Sequence, residues 1–451
     1  MVDVVVIRKI KRVSELRVSF EFPDSNIIVV TGKNGIGKTT LVKAFKAIVN
    51  PKVFENSTVH KAICEGSEIK FDLDGFSPFS YTYQSKLGVI DTKDLLPEEG
   101  AILAELPIPD GQRFQHFSAV AAQNSEISVR NAAQDYERAE ELIKFLHEVY
   151  GKDKFDDLKM INIGKKNYYF IPKDDGTYIR EDHLSSGEYF LIQIFRLVTS
   201  KAKLIIVDEL DVALDAAAQV KLFRALKSLL QQHDSRLIVI SHSLAFMNTV
   251  DDGGLYYLES NNDQVSLEQR SFGYIKADLY GFRGFDRYIL TEDPILEGFI
   301  EFIIRHFSII PYYQHKTIGV GGANQLRMIV EKNDSDKIFS DSKNVLAVVD
   351  RDVFSEVCKG YSGESKILYS PVQDLELFIY ENRDKLFPEV ELPSYKESSQ
   401  AKKASKSYWK YLTVDKGVNI NKLYLLIVEH NEIETQQLVN EIELFLSLDG
   451  A

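Results

Sequence analysis

Two groups of side chains in this sequence have the types and the spacing that phosphate chemistry needs. The first lies in "TGKNGIGKTT", where Gly32, Gly37, Lys38 and Thr39 fit the pattern G-x-x-x-x-G-K-[ST]. Glycines leave backbone N–H groups free to surround phosphates, Lys38 can neutralise the β and γ oxygens, and Thr39 can bind Mg²⁺. We expect ATP and Mg²⁺ here, with nucleotide contacts from Asn34, Gly35, Gly37, Lys38, Thr39 and Thr40.

The segment "KLIIVDEL" brings two acids to the end of an apolar strand. Leu204 to Val207 form the predicted strand, and Asp208 and Glu209 follow it. Phosphoryl transfer depends on positioning and charge neutralisation, so Asp208 is expected to hold the Mg²⁺ shell and Glu209 to polarise the attacking water. Two acids at a strand end are common, and this segment indicates little by itself.

The segment "HLSSGEYFLIQIF" predicts an anion site at the start of a helix. Ser185, Ser186 and Gly187 begin a helix with a buried apolar side, so free N–H groups and hydroxyls can face a phosphate. The alternative is an ordinary helix cap, in which a serine caps the helix and Glu188 completes a capping box.

The order of these segments resembles that of ABC-type ATPases. In this resemblance, "ALD" at 213–215 is the D-loop, and His242 in "LIVISHSLAF" is the switch histidine that contacts the γ-phosphate. Gln84 is the first candidate for the Q-loop glutamine, and Gln123 is the second. The signature segment of one ABC subunit closes over the nucleotide of another, so the resemblance implies a homodimer or higher oligomer through these heads.

The second group of side chains consists of acids at predicted strand ends. From about residue 286 the sequence repeats strand, turn and helix, which predicts a small parallel sheet with ligands at the carboxyl ends of its strands. Glu292 ends the first strand, Asp350 and Asp352 follow the third, and Glu297 lies on the next helical turn. Ionised carboxylates this close together require a divalent cation, and Mg²⁺ or Mn²⁺ suits such oxygen ligands.

This second region resembles the TOPRIM fold, which has a glutamate after the first strand, glycines after the second, here Gly321 and Gly322, and a D-x-D after the third. An ABC-type ATPase followed by TOPRIM is similar to the OLD (overcoming lysogenization defect) nucleases, and also to retron-linked and Septu-like defence ATPases. The resemblance implies that four acids bind the metal ions of phosphodiester cleavage: Glu292, Glu297, Asp350 and Asp352.

The sequence departs from the TOPRIM pattern directly after the first glutamate. The family has glycine there, whereas this chain has Asp293 and Pro294, and a residue before proline is held extended. Either Asp293 is an additional ligand or the site is partly degenerate. Asp374 and Glu376 could be further ligands, but the helix dipole also favours such acids in any first turn.

A basic segment near the C-terminus is a candidate for DNA contact. In "AKKASKSYWKYL", Lys402, Lys406 and Lys410 share one helical face, and Tyr408 and Trp409 lie between them. Phosphate neutralisation with base stacking is one interpretation, and a solvated charged face is the other. The net charge of −13 restricts any DNA contact to such a local surface.

The strands and helices expected around these groups indicate an α/β chain of two domains. We expect an ABC-type ATPase domain over 1–280, with a helical insert at about 120–160 that contains one amphipathic helix over 128–150. A TOPRIM-like domain is expected over 281–451. Two distant cysteines, the absence of an apolar signal segment and the absence of a membrane-length apolar run predict a cytoplasmic protein without membrane contact.

The leading functional hypothesis is therefore an ATP-binding and ATP-hydrolysing, Mg²⁺- or Mn²⁺-dependent DNA endonuclease of the OLD type. The resemblance implies a role as a bacterial anti-phage effector, with DNA and a defence-system protein or reverse transcriptase–msDNA complex as partners. The alternative is an ATPase sensor or scaffold with an inactive TOPRIM domain that regulates a separate nuclease or toxin.

Overall fold

The protein is described by a computed structural model that covers residues 2–449, except 12, 55–61, 106–112, 152–153, 165, 211–212, 262–263, 282–283 and 391–400. The chain divides into two compact units, residues 1–272 and residues 273–451. The boundary expected from the sequence, between residues 280 and 281, lies at the end of a helix that spans Phe272–Tyr280.

In the described residues, the N-terminal unit contains fifteen strands and seven α-helices. The strands are β1 Asp3–Ile10, β2 Val13–Phe20, β3 Ile27–Gly32, β4 Ile63–Asp72, β5 Phe79–Gln84, β6 Val89–Asp91, β7 Ile102–Glu105, β8 Glu137–Arg138, β9 Lys159–Ile163, β10 Lys166–Pro172, β11 Tyr178–Arg180, β12 Leu204–Asp208, β13 Arg236–Ile240, β14 Leu255–Asn261 and β15 Gln264–Gln269. The helices are α1 Lys38–Val49, α2 Arg113–Ala122, α3 Asn124–Ala133, α4 Glu140–Tyr150, α5 Ser186–Val198, α6 Ala216–His233 and α7 Leu244–Met247.

One large sheet organises this unit. Its order is β6-β5-β4-β1-β2-β15-β14-β3-β13-β12-β7 within the described chain. Strands β14, β3, β13, β12 and β7 run parallel, so their carboxyl ends meet at one edge. Strands β3 and β12 are buried along their whole length, as expected for strands covered on both faces. Their apolar runs therefore position the charged residues that follow them.

The predicted single helix over 128–150 is wrong. Helix α3 ends at Ala133 because Gln134 adopts a left-handed conformation with φ of 53°, and a short strand, β8, then pairs with β9. Helix α4 starts only at Glu140. The insert expected at about 120–160 thus combines helices with a four-stranded antiparallel sheet, ordered β11-β10-β9-β8 in the described residues.

In its described residues, the C-terminal unit has four strands and nine α-helices, counting the helix at the unit boundary. The strands are β16 Arg287–Thr291, β17 His315–Gly319, β18 Val345–Val349 and β19 Lys366–Tyr369. The helices are α8 Phe272–Tyr280, α9 Pro294–His306, α10 Ala323–Asp336, α11 Arg351–Cys358, α12 Leu375–Glu381, α13 Arg383–Leu386, α14 Ala401–Lys410, α15 Ile420–His430 and α16 Glu432–Leu446.

The parallel sheet predicted for this region is confirmed, with the order β17-β16-β18-β19 and every pair parallel. Consecutive strand residues face opposite sides of the sheet. Ile289 accordingly packs with the cluster of α9, α12 and α14–α16, whereas Leu290 packs with the cluster of α10 and α11. Helices therefore cover both faces, and the carboxyl ends of β16 and β18 lie side by side. Among the described helices, none combines the length and apolar character needed to cross a membrane.

Removal of a central ring from the C-terminal unit should destabilise it. Phe299 is fully buried on α9, with its ring centroid 5.5 Å from that of Tyr424. We expect Phe299→Ala to lower the free energy of unfolding by about 3–5 kcal/mol, because the cavity adds to the lost transfer energy. Trp409 is the single tryptophan of the chain and lies in the same cluster, so urea unfolding followed by its fluorescence reports on this unit.

The matched control for this experiment is Met328→Ala on α10, whose side chain is exposed. This control should leave the urea midpoint almost unchanged. An equal shift in the two variants would mean that Phe299 contributes no more to stability than a surface residue.

Candidate functional site

The glycine loop lies between buried strand β3 and helix α1. Lys38 Nζ donates hydrogen bonds to the carbonyl oxygens of Gly32 at 2.7 Å and Lys33 at 3.0 Å, so its side chain folds over the loop. Burial lowers the pKa of Lys38, and the Asp208 carboxylate opposes that shift. A phosphate placed in the loop offers the lysine stronger partners than these two carbonyls.

The remaining predicted contacts occupy different positions on this loop. Asn34 and Gly35 are exposed at its surface, whereas Thr40 is buried within α1. Gly35 and Gly37 have φ values of 81° and 122°, which side-chain-bearing residues rarely adopt. The two glycines therefore permit the turn that surrounds a phosphate, and the buried Thr40 is less accessible to a ligand than its neighbour Thr39.

Two oxygen groups meet beside the loop at the end of β12. Thr39 Oγ1 donates a hydrogen bond of 3.2 Å to Asp208 Oδ2. Asp208 is 4% exposed, and burial raises its pKa to about 6, an effect that Glu209 reinforces and that Thr39 and Lys38 oppose. A hydroxyl next to a buried carboxylate fits the outer ligands of a nucleotide-bound Mg²⁺ ion.

The backbone holds Glu209 and His242 at the ends of neighbouring strands. Glu209 has a left-handed φ of 56°, and its N–H donates to the carbonyl oxygen of Ile240 at 3.0 Å. A non-glycine residue in this region stores about 1–3 kcal/mol of strain and is frequent at functional sites. His242 follows β13, which lies between β3 and β12, so both residues lie at the sheet edge that carries the glycine loop.

The signature segment forms a complete helix cap and also packs against the predicted D-loop. Ser185 Oγ accepts from the N–H of Glu188 at 3.4 Å, and Glu188 Oε2 accepts from the N–H of Ser185 at 2.9 Å. Ser186 is the first helical residue. A Cβ atom on Gly187 would lie 2.5 Å from Tyr150 Oη and 3.0 Å from the Ala213 carbonyl oxygen, so this contact requires glycine. The capping box is therefore present. The contact at Gly187 places the start of the helix beside residues 213–215.

The sheet order does not place the predicted Q-loop residue beside the glycine loop. Gln84 ends β5, and the strands β4, β1, β2, β15 and β14 separate β5 from β3. The second candidate, Gln123, lies between α2 and α3. Glu105 instead ends β7, where it pairs in register with Val207 directly beside Asp208. Nothing in the sequence around Glu105 indicates this position, because strand adjacency cannot be read from a short apolar run.

In the C-terminal unit, the structure brings Glu292 and Asp350 together. They follow the adjacent parallel strands β16 and β18, and the N–H of Asp350 donates to Glu292 Oε2 at 3.5 Å. Burial raises the pKa of Glu292 and raises that of Asp350 well above its usual range. The charge of Glu292 raises the pKa of Asp350 further, whereas a hydrogen bond from Ser370 Oγ at 3.2 Å lowers it.

The two acids that flank this pair have structural partners. Asp293 Oδ1 caps α9 by accepting from the N–H groups of Ile295 and Leu296, both at 2.9 Å. The Asp293-Pro294 departure thus forms a regular helix start, with the proline in the first turn. Glu297 Oε2 accepts from the N–H of Gly319 at 3.0 Å, which ties α9 to the end of β17. The carboxylate of Glu297 therefore has a backbone partner of its own.

Glu376 joins the acidic cluster, although the sequence analysis favoured an ordinary first-turn acid. It is 7% exposed, and burial raises its pKa to about 7. Asp374, Asp293 and Glu292 raise this pKa further, and Lys406 opposes them. Asp374 behaves as expected, because its Oδ1 caps α12 by accepting from the N–H of Leu377 at 2.8 Å. The sequence does contain one indication that Glu376 is buried, because it lies between two leucines in "DLELF".

Of the two interpretations of the basic segment, base stacking on Tyr408 and Trp409 is wrong. Their exposures are 2% and 5%, because both rings pack into the core of the C-terminal unit. The lysines of α14 instead lie near the acids: Lys402 Nζ forms an ion pair with Asp352 Oδ2, which raises the pKa of Lys402. Helix α14 therefore supplies positive charge to the acidic cluster.

The donor atoms of this cluster suit a hard divalent cation, but they are not yet arranged around one. In the residues that the structure describes, no group of three or more His, Cys, Asp or Glu side chains could hold a metal ion as it stands. Asp352 is paired with Lys402. Glu292, Asp350 and Glu376 have raised pKa values through burial and mutual repulsion, which a cation would relieve.

Comparison with known proteins supports an ATPase fold for the N-terminal unit. Residues 27–248 match the family model described as "AAA domain, putative AbiEii toxin, Type IV TA system". The chain is 29% identical over 158 residues to the oligopeptide transport ATP-binding protein OppF of Mycoplasma pneumoniae, over 34% of this chain and 17% of that protein. It is 25% identical over 228 residues to the nisin transport ATP-binding protein NisT of Lactococcus lactis subsp. lactis, over 50% and 30% respectively.

The matches cover less than a third of either curated relative. Among solved structures, the chain is similar to the Smc head domain with an extended coiled coil, bound to the C-terminal domain of ScpA, from Pyrococcus furiosus. That match has 13% identity and a TM-score of 0.41, and it covers 62% of this chain and 99% of that one. The family match and the curated relatives support an ATP-binding domain of the ABC-type P-loop class in the N-terminal unit.

Neutralising Asp208 should stabilise the nucleotide-free protein at high pH. Because the pKa of Asp208 is raised to about 6, the folded state binds this proton more tightly than the unfolded state. The protonated carboxyl therefore costs the folded state little at low pH, and the ionised carboxylate destabilises it as pH rises through 6. Asp208→Asn should raise the free energy of unfolding of the N-terminal unit by up to about 3 kcal/mol at pH 8, and the gain should shrink towards pH 5. Metal-free thermal unfolding across this pH range measures it.

Asp91→Asn, an exposed change in the same unit, is the control and should show no such pH-dependent gain. If Asp208→Asn instead destabilises the protein equally at pH 8 and pH 5, the carboxylate is compensated in the folded state and its pKa is not raised.

Mn²⁺ should stabilise the C-terminal unit in a pH-dependent way. Glu376, with a pKa of about 7, must lose its proton before its carboxylate can bind a cation, so the Mn²⁺-induced stabilisation should be larger at pH 8 than at pH 6. Unfolding followed by Trp409 fluorescence measures the shift. Asp350→Asn should abolish it, and Glu364→Gln, an exposed change, should retain it. A Mn²⁺ effect that survives Asp350→Asn would place the ion elsewhere.

Proposed function

We propose that this chain is an ATP-hydrolysing switch joined to a metal-dependent DNA endonuclease of the OLD type, with a TOPRIM-like C-terminal unit. The observation that carries the nuclease part is the juxtaposition of Glu292 and Asp350 at the ends of adjacent parallel strands, with raised pKa values. Negative charge accumulated in this way is unfavourable without a cation. A cluster with only a structural role would not need these acids, so the cluster supports a metal-binding function.

In the N-terminal unit, the predicted residues at the glycine loop and at the ends of β12 and β13 have roles that suit their positions, whereas Gln84 lies away from them. Lys38 leaves its two loop carbonyls for the phosphates, while Thr39 and Asp208 hold the Mg²⁺ shell. Glu209 orients the attacking water, and His242 contacts the γ-phosphate from the end of β13. These groups neutralise and position the reactants, which is most of what phosphoryl transfer demands.

The signature residues Ser185, Ser186 and Gly187 act on a nucleotide held by a second copy of the chain. Their helix start offers N–H groups to an anion, and the ATP-binding loop lies at a different point of the unit. We therefore expect a homodimer, or a higher oligomer, that closes through the ATPase heads when ATP binds.

In the C-terminal unit, the cation ligands are Glu292, Asp350, Glu376 and, once released from Lys402, Asp352. Bound Mg²⁺ or Mn²⁺ supplies an activated water and stabilises the leaving oxygen of a phosphodiester. Lys402 and Lys406 neutralise carboxylates in the ligand-free protein and are then available to a DNA phosphate. Glu297, the fourth acid that the resemblance implies as a ligand, also accepts the N–H of Gly319 and so positions the turn after β17.

A second candidate function is an ATPase sensor whose C-terminal unit is catalytically inactive and which restrains a separate nuclease or toxin. The ion pair between Lys402 and Asp352 favours it, because a lysine already supplies the positive charge that a cation would bring. In either case we assign the protein to the bacterial cytoplasm and to anti-phage defence. Its partners would be DNA and a defence-system protein or reverse transcriptase–msDNA complex.

Plasmid cleavage tests the nuclease assignment. The wild-type chain should nick or degrade plasmid in Mg²⁺ or Mn²⁺, and Asp350→Ala should reduce the rate roughly a hundredfold or more, since metal stabilisation of the transition state is worth several kcal/mol. ATP hydrolysis should persist in Asp350→Ala and disappear in Lys38→Ala. Glu364→Gln serves as the surface control for both assays.

Two outcomes would contradict the leading assignment. Cleavage by a purified complex that survives Asp350→Ala and disappears when the partner is removed would establish the sensor function instead. Metal-independent cleavage, or no cleavage with any tested partner, would leave the chain as an ATPase alone.

A further inference from the structure

A buried glutamine connects two segments of the predicted ATPase site. Gln219 lies in the first turns of α6 and is 7% exposed. Its Nε2 donates a hydrogen bond of 2.9 Å to the carbonyl oxygen of Leu214, and its Oε1 accepts a hydrogen bond from Ser243 Oγ. One side chain therefore bonds to the loop before α6 and to the loop after β13.

Each of these loops adjoins a residue of the site. Residues 213–215 contact the signature segment. The Ala213 carbonyl oxygen lies so close to Gly187 that a Cβ atom on residue 187 would be only 3.0 Å from it. Ser243 directly follows His242. The chain of contacts thus runs from the signature glycine, through the loop at Leu214 and the amide of Gln219, to the segment that carries the histidine.

The surrounding hydrogen bonds define the orientation of both loops. Asp215 Oδ1 caps α6 by accepting from the N–H of Ala218 at 2.8 Å. Ser243 Oγ accepts from the N–H of Phe246 at 3.2 Å, while the N–H of Ser243 donates to Ser241 Oγ at 3.0 Å. The Ser243 hydroxyl proton is therefore directed to Gln219, and the glutamine must present its oxygen to Ser243 and its nitrogen to Leu214.

We propose that Gln219 is a positioning residue for ATP hydrolysis, which sets the placement of His242 according to the position of the signature and D-loop segments. The inference rests on the ATP hydrolysis proposed above and adds a coupling element to it. Gln219 acts through its hydrogen bonds to Ser243 and Leu214. An alternative role, simple filling of space under α6, would need only its volume.

A substitution that keeps the volume of Gln219 but removes its hydrogen bonds distinguishes the two roles. Gln219→Met keeps the volume but removes both hydrogen bonds, so positioning predicts a roughly 10- to 100-fold lower kcat for ATP hydrolysis with little change in the KM for ATP. Gln232→Met, on an exposed position of the same helix, is the matched control and should keep wild-type values. A filling role predicts wild-type kcat in both variants.

Gln219→Glu gives a pH-dependent form of the same test. A protonated glutamate has the shape of glutamine and can donate its O–H to Leu214 while accepting from Ser243, whereas the ionised form turns a negative oxygen towards that carbonyl. Burial raises the pKa of such a carboxyl, so the ratio of Gln219→Glu to wild-type kcat should rise as pH falls, and the ratio for Gln219→Met should stay flat.

Ser243→Ala combined with Gln219→Met completes the test. If the two residues act through their shared hydrogen bond, the double variant should be about as slow as the slower single variant, rather than showing the product of both losses. Full multiplication of the losses, or a wild-type kcat in Gln219→Met, would overturn the inference while leaving the ATPase assignment intact. A wild-type chain that hydrolyses no ATP would overturn both.

Discussion

Carboxylates at the ends of buried parallel strands are the constraint on which both units of this protein depend. Parallel strands covered on both faces must be apolar, so an acid at the end of such a strand lies at the border of a low-dielectric interior. Asp208, the last residue of β12, and Asp350, directly after β18, both lie there, and burial raises the pKa of each. The fold pays for this charge in stability, and compensating positive charge is therefore part of each site.

The two units compensate the charge in different ways. Around Asp208 the partners are a hydroxyl and a lysine from the adjacent loop, Thr39 and Lys38, both from the segment that would bind the nucleotide. Asp350 accepts a hydrogen bond from Ser370, and the positive charge in its cluster comes from a distant helix, since Lys402 and Lys406 of α14 act on Asp352 and Glu376. The first arrangement suits a phosphate-bound cation. In the second, a divalent cation would compete with the lysines for the same acids.

Packing around the signature segment explains how the first site could respond to its surroundings. Gly187 allows the start of α5 to approach the backbone of Ala213, and the strained conformation of Glu209 shows that the neighbouring strand end is held firmly. In such a closely packed region a small displacement is transmitted rather than absorbed. The amide of Gln219 lies between these segments, and its two hydrogen bonds connect the loop at Leu214 to the loop at Ser243.

The sequence by itself determined the local features: the glycine loop, the acids that follow apolar strands, the helix cap at Ser185 and the strand-turn-helix repeat of the C-terminal unit. Each depends on residues within one turn or one strand, so short-range chemistry is sufficient to predict it. The tertiary structure alone decided which strand ends are neighbours. It separated Gln84 from the glycine loop, placed Glu105 beside the β12 strand, brought Glu376 and Lys402 to the acids, ended α3 at Ala133 and buried Trp409. Pairing between strands and burial of helix faces depend on residues far apart in the chain, and no local pattern encodes them.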